Sequence, residues 1–152
     1  MRTFDTTELA LKALIAPLEK IGFSISEKIY SDPSTGHYLV VLKSDKLFVK
    51  LSKEKSESYL WLKSSVNSES SEWFEIGYVP RLLNTFFKSD KDWPKFFASN
   101  QEAVHYFVQE HDRILILLNS YSAGEIMKQI RQIDEDARSA ALRSIGIDYK
   151  KR

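Results

Sequence analysis

HYLVVLKSDKLFVKLSKEKSESYLWLKSSV, residues 37–66, decides the fold. His37 to Lys43 is apolar on both faces, as a central strand is. Ser44-Asp45-Lys46 makes a short turn. Leu47, Val49 and Leu51 then alternate with Phe48, Lys50 and Ser52, the period-two pattern of a strand with one buried face. Glu54 to Ser58 is polar and reads as a loop. Tyr59 to Val66 is rich in aromatic and aliphatic residues and reads as the next strand. A parallel crossover needs about a dozen residues or more, so these short connections demand antiparallel neighbours.

Upstream, Phe23, Ile25 and Ile29 fall on odd positions of a strand that runs to Tyr30. The sequence Asp32-Pro33-Ser34-Thr35-Gly36 joins it to the meander as a turn. Before it, Asp5 and Glu8 have capping-box spacing, and Leu11, Leu14, Ile15 and Leu18 follow at helical spacing. Pro17 predicts a kink or an early break in that helix. Gly22 predicts its end.

Downstream, Asn67 to Ser71 is polar, and Trp73 to Tyr78 is either a fifth strand or a cover for the sheet edge. Pro80 suits the first turn of a helix carrying Leu82, Leu83, Phe86 and Phe87. Lys88 to Pro94 breaks the pattern, and Phe96-Phe97 follows in a short turn. Asn100 reads as the N-cap of a helix to about Asn119, with Val104, Phe107, Val108, His111, Leu115 and Leu118 on its apolar face. Ser122 and Glu125 form a second capping-box pattern. Ile126, Ile130, Ile133, Ala137, Ala140 and Ala141 make a narrow seam on the last helix, which Gly146 ends. The expectation is one α+β domain over 1–152. It has an N-terminal helix, an antiparallel meander of four to five strands, and a helical block ending in an antiparallel hairpin.

Composition narrows the functions. The 22 basic and 21 acidic residues nearly cancel, so no domain-wide basic field for nucleic acid exists. Lys43, Lys46, Lys50 and Lys53 do cluster, but without the aromatic pattern of an RNA-binding motif, and edge protection is the simpler role for them. With no cysteine, thiolate metal sites, disulfides and cysteine nucleophiles are excluded. No stretch approaches the roughly 18 apolar residues of a membrane span. The N-terminus lacks the continuous apolar run of a signal peptide, so a cytoplasmic location is expected.

Few residues offer chemistry. His111 shares its helix with Glu110 and Asp112, but adjacent helical residues diverge and cannot converge on one ion. Glu102 and His105 are three apart, yet the second such pair of a di-iron bundle is missing. Walker, GxSxG, HExxH and GxGxxG motifs are absent from the sequence. No cofactor and no metal site are expected. The aromatic residues say more. Trp73-Phe74, Phe86-Phe87 and Phe96-Phe97 are adjacent pairs whose members face apart, so one of each pair is a candidate surface ring. Acidic stretches Glu54 to Glu57 and Glu69 to Glu75 flank them and would steer a basic partner.

The stretch from Leu14 to Leu62, with SSEWFEIGYVPRLL after it, resembles a recurring pattern in small bacterial α+β proteins of unassigned function. The residues that carry it are Gly22-Phe23, Tyr30, Gly36, Val41 to Ser44, Trp73 and Leu82-Leu83. Such proteins are similar in size and layout to immunity proteins, which bind and block a toxin. The resemblance implies a protein partner and no enzyme; it carries over no site residue. The leading expectation is a non-enzymatic immunity-type module that contacts a toxin or effector through Glu69, Glu72, Trp73, Phe74 and Glu75. A second reading is a small enzyme or ligand binder with a pocket between sheet and helices, using His111 or His105. A third is a homodimeric adaptor joined through the Ile126–Ala140 seam.

Overall fold

The computed structural model describes residues 6–32, 34–54, 57–65, 72–87 and 97–146. Helix α1 spans Thr6–Lys20. Strands β1 (Ser24–Asp32), β2 (His37–Lys43), β3 (Leu47–Glu54), β4 (Glu57–Ser64) and β5 (Phe74–Glu75) form one antiparallel sheet in sequence order. A 3-10 turn over Ile76–Tyr78 leads into α2 (Val79–Phe87), and α3 (Asn100–Gln109), α4 (His111–Ser120) and α5 (Ala123–Ser144) complete the chain. The expected α+β architecture is the observed one.

Leu11, Ile15 and Leu18 of α1 are buried, the stripe that the spacing dictates. The helix runs through Pro17 to Lys20 instead of breaking. Pro17 has no N–H to donate to the Ala13 carbonyl, so the helix gives up one bond there and keeps its buried stripe. At its end Gly22 takes φ +100°. The Phe23 N–H then donates to the Leu18 carbonyl (3.1 Å) and the Gly22 N–H to Glu19 (3.2 Å), a Schellman closure. The turn after β1 is held by Asp32, whose Oδ1 accepts from the Ser34 N–H (3.0 Å) and Oγ–H (2.7 Å). Those bonds hold the Asp32 carboxyl below its ordinary range.

In the sheet, Val40, Leu42, Leu47, Val49, Leu51, Leu60 and Leu62 point to one side and are buried with Leu18, Phe107, Ile114, Leu117 and Leu82. All helical contributions to the core lie on that side. The pairing of β1 with β2 shifts register twice, between Ile25 and Glu27 and between Lys28 and Tyr30. Strand β4 starts at Glu57, opposite Glu54, two residues before the aromatic run that marks it in the sequence. The fifth strand exists but keeps only Phe74 and Glu75 before the chain turns.

The helix expected from Asn100 to Asn119 is two. Glu110, at φ −101° and ψ 10°, separates α3 from α4. The N-cap is Ser99, not Asn100: the Ser99 hydroxyl accepts from the Glu102 N–H at 3.2 Å. Glu102 returns to the Ala98 N–H at 3.1 Å. The capping box at Ser122 and Glu125 is fully made. Helices α4 and α5 are joined through Tyr121 and Ser122, and each makes its main contacts with α2. In α5 Ile126 and Ile130 are buried, whereas Ala137, Ala140 and Ala141 are exposed. In the far half of α5, Ser139 is buried although the alanines around it are exposed. Among the described residues no helix is long and apolar enough to cross a membrane.

Candidate functional site: the open face of the sheet

With the helices on one side, the second face of β2 to β5 carries the alternate residues. Register places them in rows. Lys43, Phe48 and Lys63 stand side by side across β2, β3 and β4. Val41, Lys50, Trp61 and Glu75 form the next row, and Ser52 faces Tyr59 in the one after. Trp73 precedes Phe74 and so shares the face of Glu75. Cross-strand neighbours are about 4.5–5.5 Å apart at Cβ, close enough for these side chains to interact. Phe48, Tyr59, Trp61 and Trp73 are half-buried, and none belongs to the hydrophobic core.

The rings form a continuous platform. Tyr59 and Trp61 have centroids 5.7 Å apart, and Phe48 and Trp73 6.3 Å apart. Lysines are woven through them. Lys50 Nζ sits 4.6 Å from the Trp73 centroid and 5.2 Å from that of Trp61. Lys63 approaches Trp73 at 5.7 Å, and Lys43 approaches Phe48 at 5.4 Å. Each contact is within cation–π range, worth about 0.5–1 kcal/mol where exposed. No described carboxylate forms an ion pair with Lys43, Lys50 or Lys63. Burial, and then the charge of Lys63, push the Lys50 amine below its ordinary value. The Glu75 carboxyl, across from Trp61, is pushed up by burial. The Tyr59 hydroxyl donates to Glu57 (3.2 Å), which raises its value.

The residues expected at a partner surface separate here. Trp73 and Glu75 lie on the platform, and Glu72 is exposed just before them. Phe74 points the other way and is buried at 5% exposure, so it belongs to the core. Glu69 lies outside the described residues. Besides Glu72 and Glu75, Trp73 has Lys50 and Lys63 against its ring, cations that strand register brings there. Lys50 and Lys53 do not guard an edge, since β3 is the middle strand.

The histidines divide as well. His111 is wedged against Phe23 (5.9 Å) and Phe107 (5.6 Å), and its Nε2 is buried with no hydrogen-bond partner among the described residues. Burial lowers its pKa and outweighs the opposing charge of Asp112. It is a packing residue. His105 is exposed and lines a cleft between α1, α3 and the sheet, on the helical side of the molecule. Ile126 and Ile130 are in this chain's own core, so the first half of the expected dimer seam is already occupied. Among the described residues no three His, Asp or Glu side chains gather as a metal site. The pairing of Lys50 with Trp61 was missed in the sequence because it needs the exact β3–β4 register. No family model matches the chain, and no curated protein or solved structure matches it either.

Proposed function

We propose that the protein is a non-enzymatic binding module that receives an acidic protein partner on the open face of its sheet. The observation that carries this reading is Lys50, held between Trp61 and Trp73 and in no ion pair among the described residues. A cation set among large rings offers both charge and apolar area to an incoming Asp or Glu. Tyr and Trp are among the residues that carry most of the binding energy at protein interfaces. Positive charge on the face also steers encounter with a negative partner. Within this reading the specific role is that of an immunity-type protein that binds and neutralises a toxin or effector, and the sequence resemblance supports it.

Titration with an Asp/Glu-rich peptide, followed by the emission of Trp61 and Trp73, tests the surface. Binding should be saturable, weaken with salt, and fall at least tenfold in Lys50→Glu. If the peptide leaves the emission unchanged, the platform is not the surface. Oligo-dT binding more tightly than the peptide would move the reading to single-stranded nucleic acid, which also stacks on aromatic platforms. For the specific role, the gene should restore growth to cells expressing a toxin from the same host, and Lys50→Glu should lose that rescue.

A further inference from the structure

The cleft on the helical side has a volume of about 570 Å³, within the range of small-molecule sites. Its apolar walls come from Ala13 and Leu14 of α1 and from Val104 and Val108 of α3. One side chain in the lining breaks that character, Lys53 near the end of β3. The odd positions of β3 send Leu47, Val49 and Leu51 into the core, and alternation sends Lys53 to the same side. It is half-buried there. A lysine on the inward face of a strand ordinarily has a counter-charge.

No described residue supplies one. The Lys53 ammonium makes no ion pair and no hydrogen bond among the described residues. The nearest acids along the chain, Glu54 and Glu57, pair across β3 and β4 and alternate to the open face of the sheet. Glu102 of α3 is turned back onto the Ala98 N–H at 3.1 Å. The cleft lining contains no Asp or Glu, and its basic side chains are Lys53 and His105. Ser58 stands directly across from Lys53 in the β3–β4 register and also lines the cleft. Its hydroxyl makes no hydrogen bond among the described residues. A cation and a hydroxyl donor, about 4.5–5.5 Å apart at Cβ, thus stand together on a cleft with aliphatic walls.

We infer that this cleft binds a small organic monoacid, its apolar body between α1 and α3 and its carboxylate on Lys53 and Ser58. A carboxylate accepts from both groups, and the bond to the ammonium is of the stronger, charge-assisted kind. The attraction is greater in a half-buried site than in open water. A neutral amide would leave the ammonium uncompensated, and an amine would be repelled by it. The site is separate from the lysine–aromatic platform, because Lys53 and Lys50 point to opposite sides of β3.

Phenylbutyrate, phenylbutyramide and phenylbutylamine are the probes, read by amide NMR shifts in the full-length protein. Phenylbutyrate should shift the signals of Ala13, Leu14, Val104 and Val108 saturably. The amide and the amine should bind at least tenfold more weakly. Lys53→Met keeps an apolar stem and removes the charge. It should weaken phenylbutyrate at least tenfold and erase its advantage over the amide, with the circular dichroism unchanged. Ala13→Trp starts from an exposed position and fills the cleft without touching Lys53 or Ser58; it should abolish the shifts. Equal binding of the three probes, an acid preference that survives Lys53→Met, or shifts that survive Ala13→Trp would each overturn the assignment. So would shifts confined to Trp61 and Trp73 of the platform, or no saturable shift up to the solubility of phenylbutyrate.

Discussion

Glu75 and Lys50 face one another's neighbourhood across Trp61, and each titrates away from its usual range for the same reason, partial removal from water. The consequence for stability is opposite in sign to that of an ordinary salt-bridged acid. The folded chain binds a proton at Glu75 more readily than the unfolded chain, so this group destabilises the fold at neutral pH and ceases to do so as the pH falls through its raised value. Glu75→Gln should therefore raise Tm at pH 7, and the gain should vanish near pH 4, when scanned by calorimetry. His111 works the other way. Its folded value lies below the usual 6.5, so the unfolded chain takes up the proton first. Stability that is intact above pH 6.5 should drain away as the pH falls toward 5. His111→Phe should flatten that slope; a slope identical to the wild type would mean that His111 is not the group responsible.

Helices and strands were legible where the pattern and the physics agreed. The meander from His37 onward could be read because every connection is too short for a crossover and β3 alternates cleanly. The N-cap at Ser99 was also written in the sequence, as Ser99-x-x-Glu102. It was eclipsed by Asn100, a residue equally suited to capping but committed instead to Tyr38 and Ser52. The break at Glu110 left no mark of its own. Neither glycine nor proline stands there, and the apolar phase from Phe107 through His111 to Leu118 continues across it. The two capping residues give a check on this level. Ser99→Ala and Ser122→Ala should each cost about 0.5–2 kcal/mol in urea denaturation, since each strips an acceptor from a helix N-terminus. The loss at Ser99 should also loosen the α1–α3 cleft.

Taken whole, the molecule is a sheet with two different faces. One is sealed by helices, and the other presents rings and lysines. The sequence alone assigned Trp73 to the surface and Phe74 with it, because adjacency shows only that two residues face apart, not which one faces in. The choice is made by the helical layer, which covers the side carrying Phe74, Leu51 and Leu62. Paired substitutions separate the faces. Leu51→Ala should cost about 2–5 kcal/mol, the usual result of a cavity in a full core. Trp61→Ala removes only cross-strand contacts and should cost roughly 1 kcal/mol or less, while weakening the acidic-peptide titration tenfold or more. Stability and binding that fell together in both variants would show that the two faces are not independent.

The two register shifts in β1 bear on how this protein behaves in a crowd. An outer strand with regular pairing is a template on which another chain can add itself. Here the outer strand at one end is bent twice, and at the other end it is only two residues long. The bent border at β1 offers no straight run of free amides and carbonyls, and β5 covers β4 at Trp61 and Leu62. A chain that exposes so much aromatic surface would otherwise be prone to fibril growth. The twice-bent border at β1 lowers that risk at its end of the sheet.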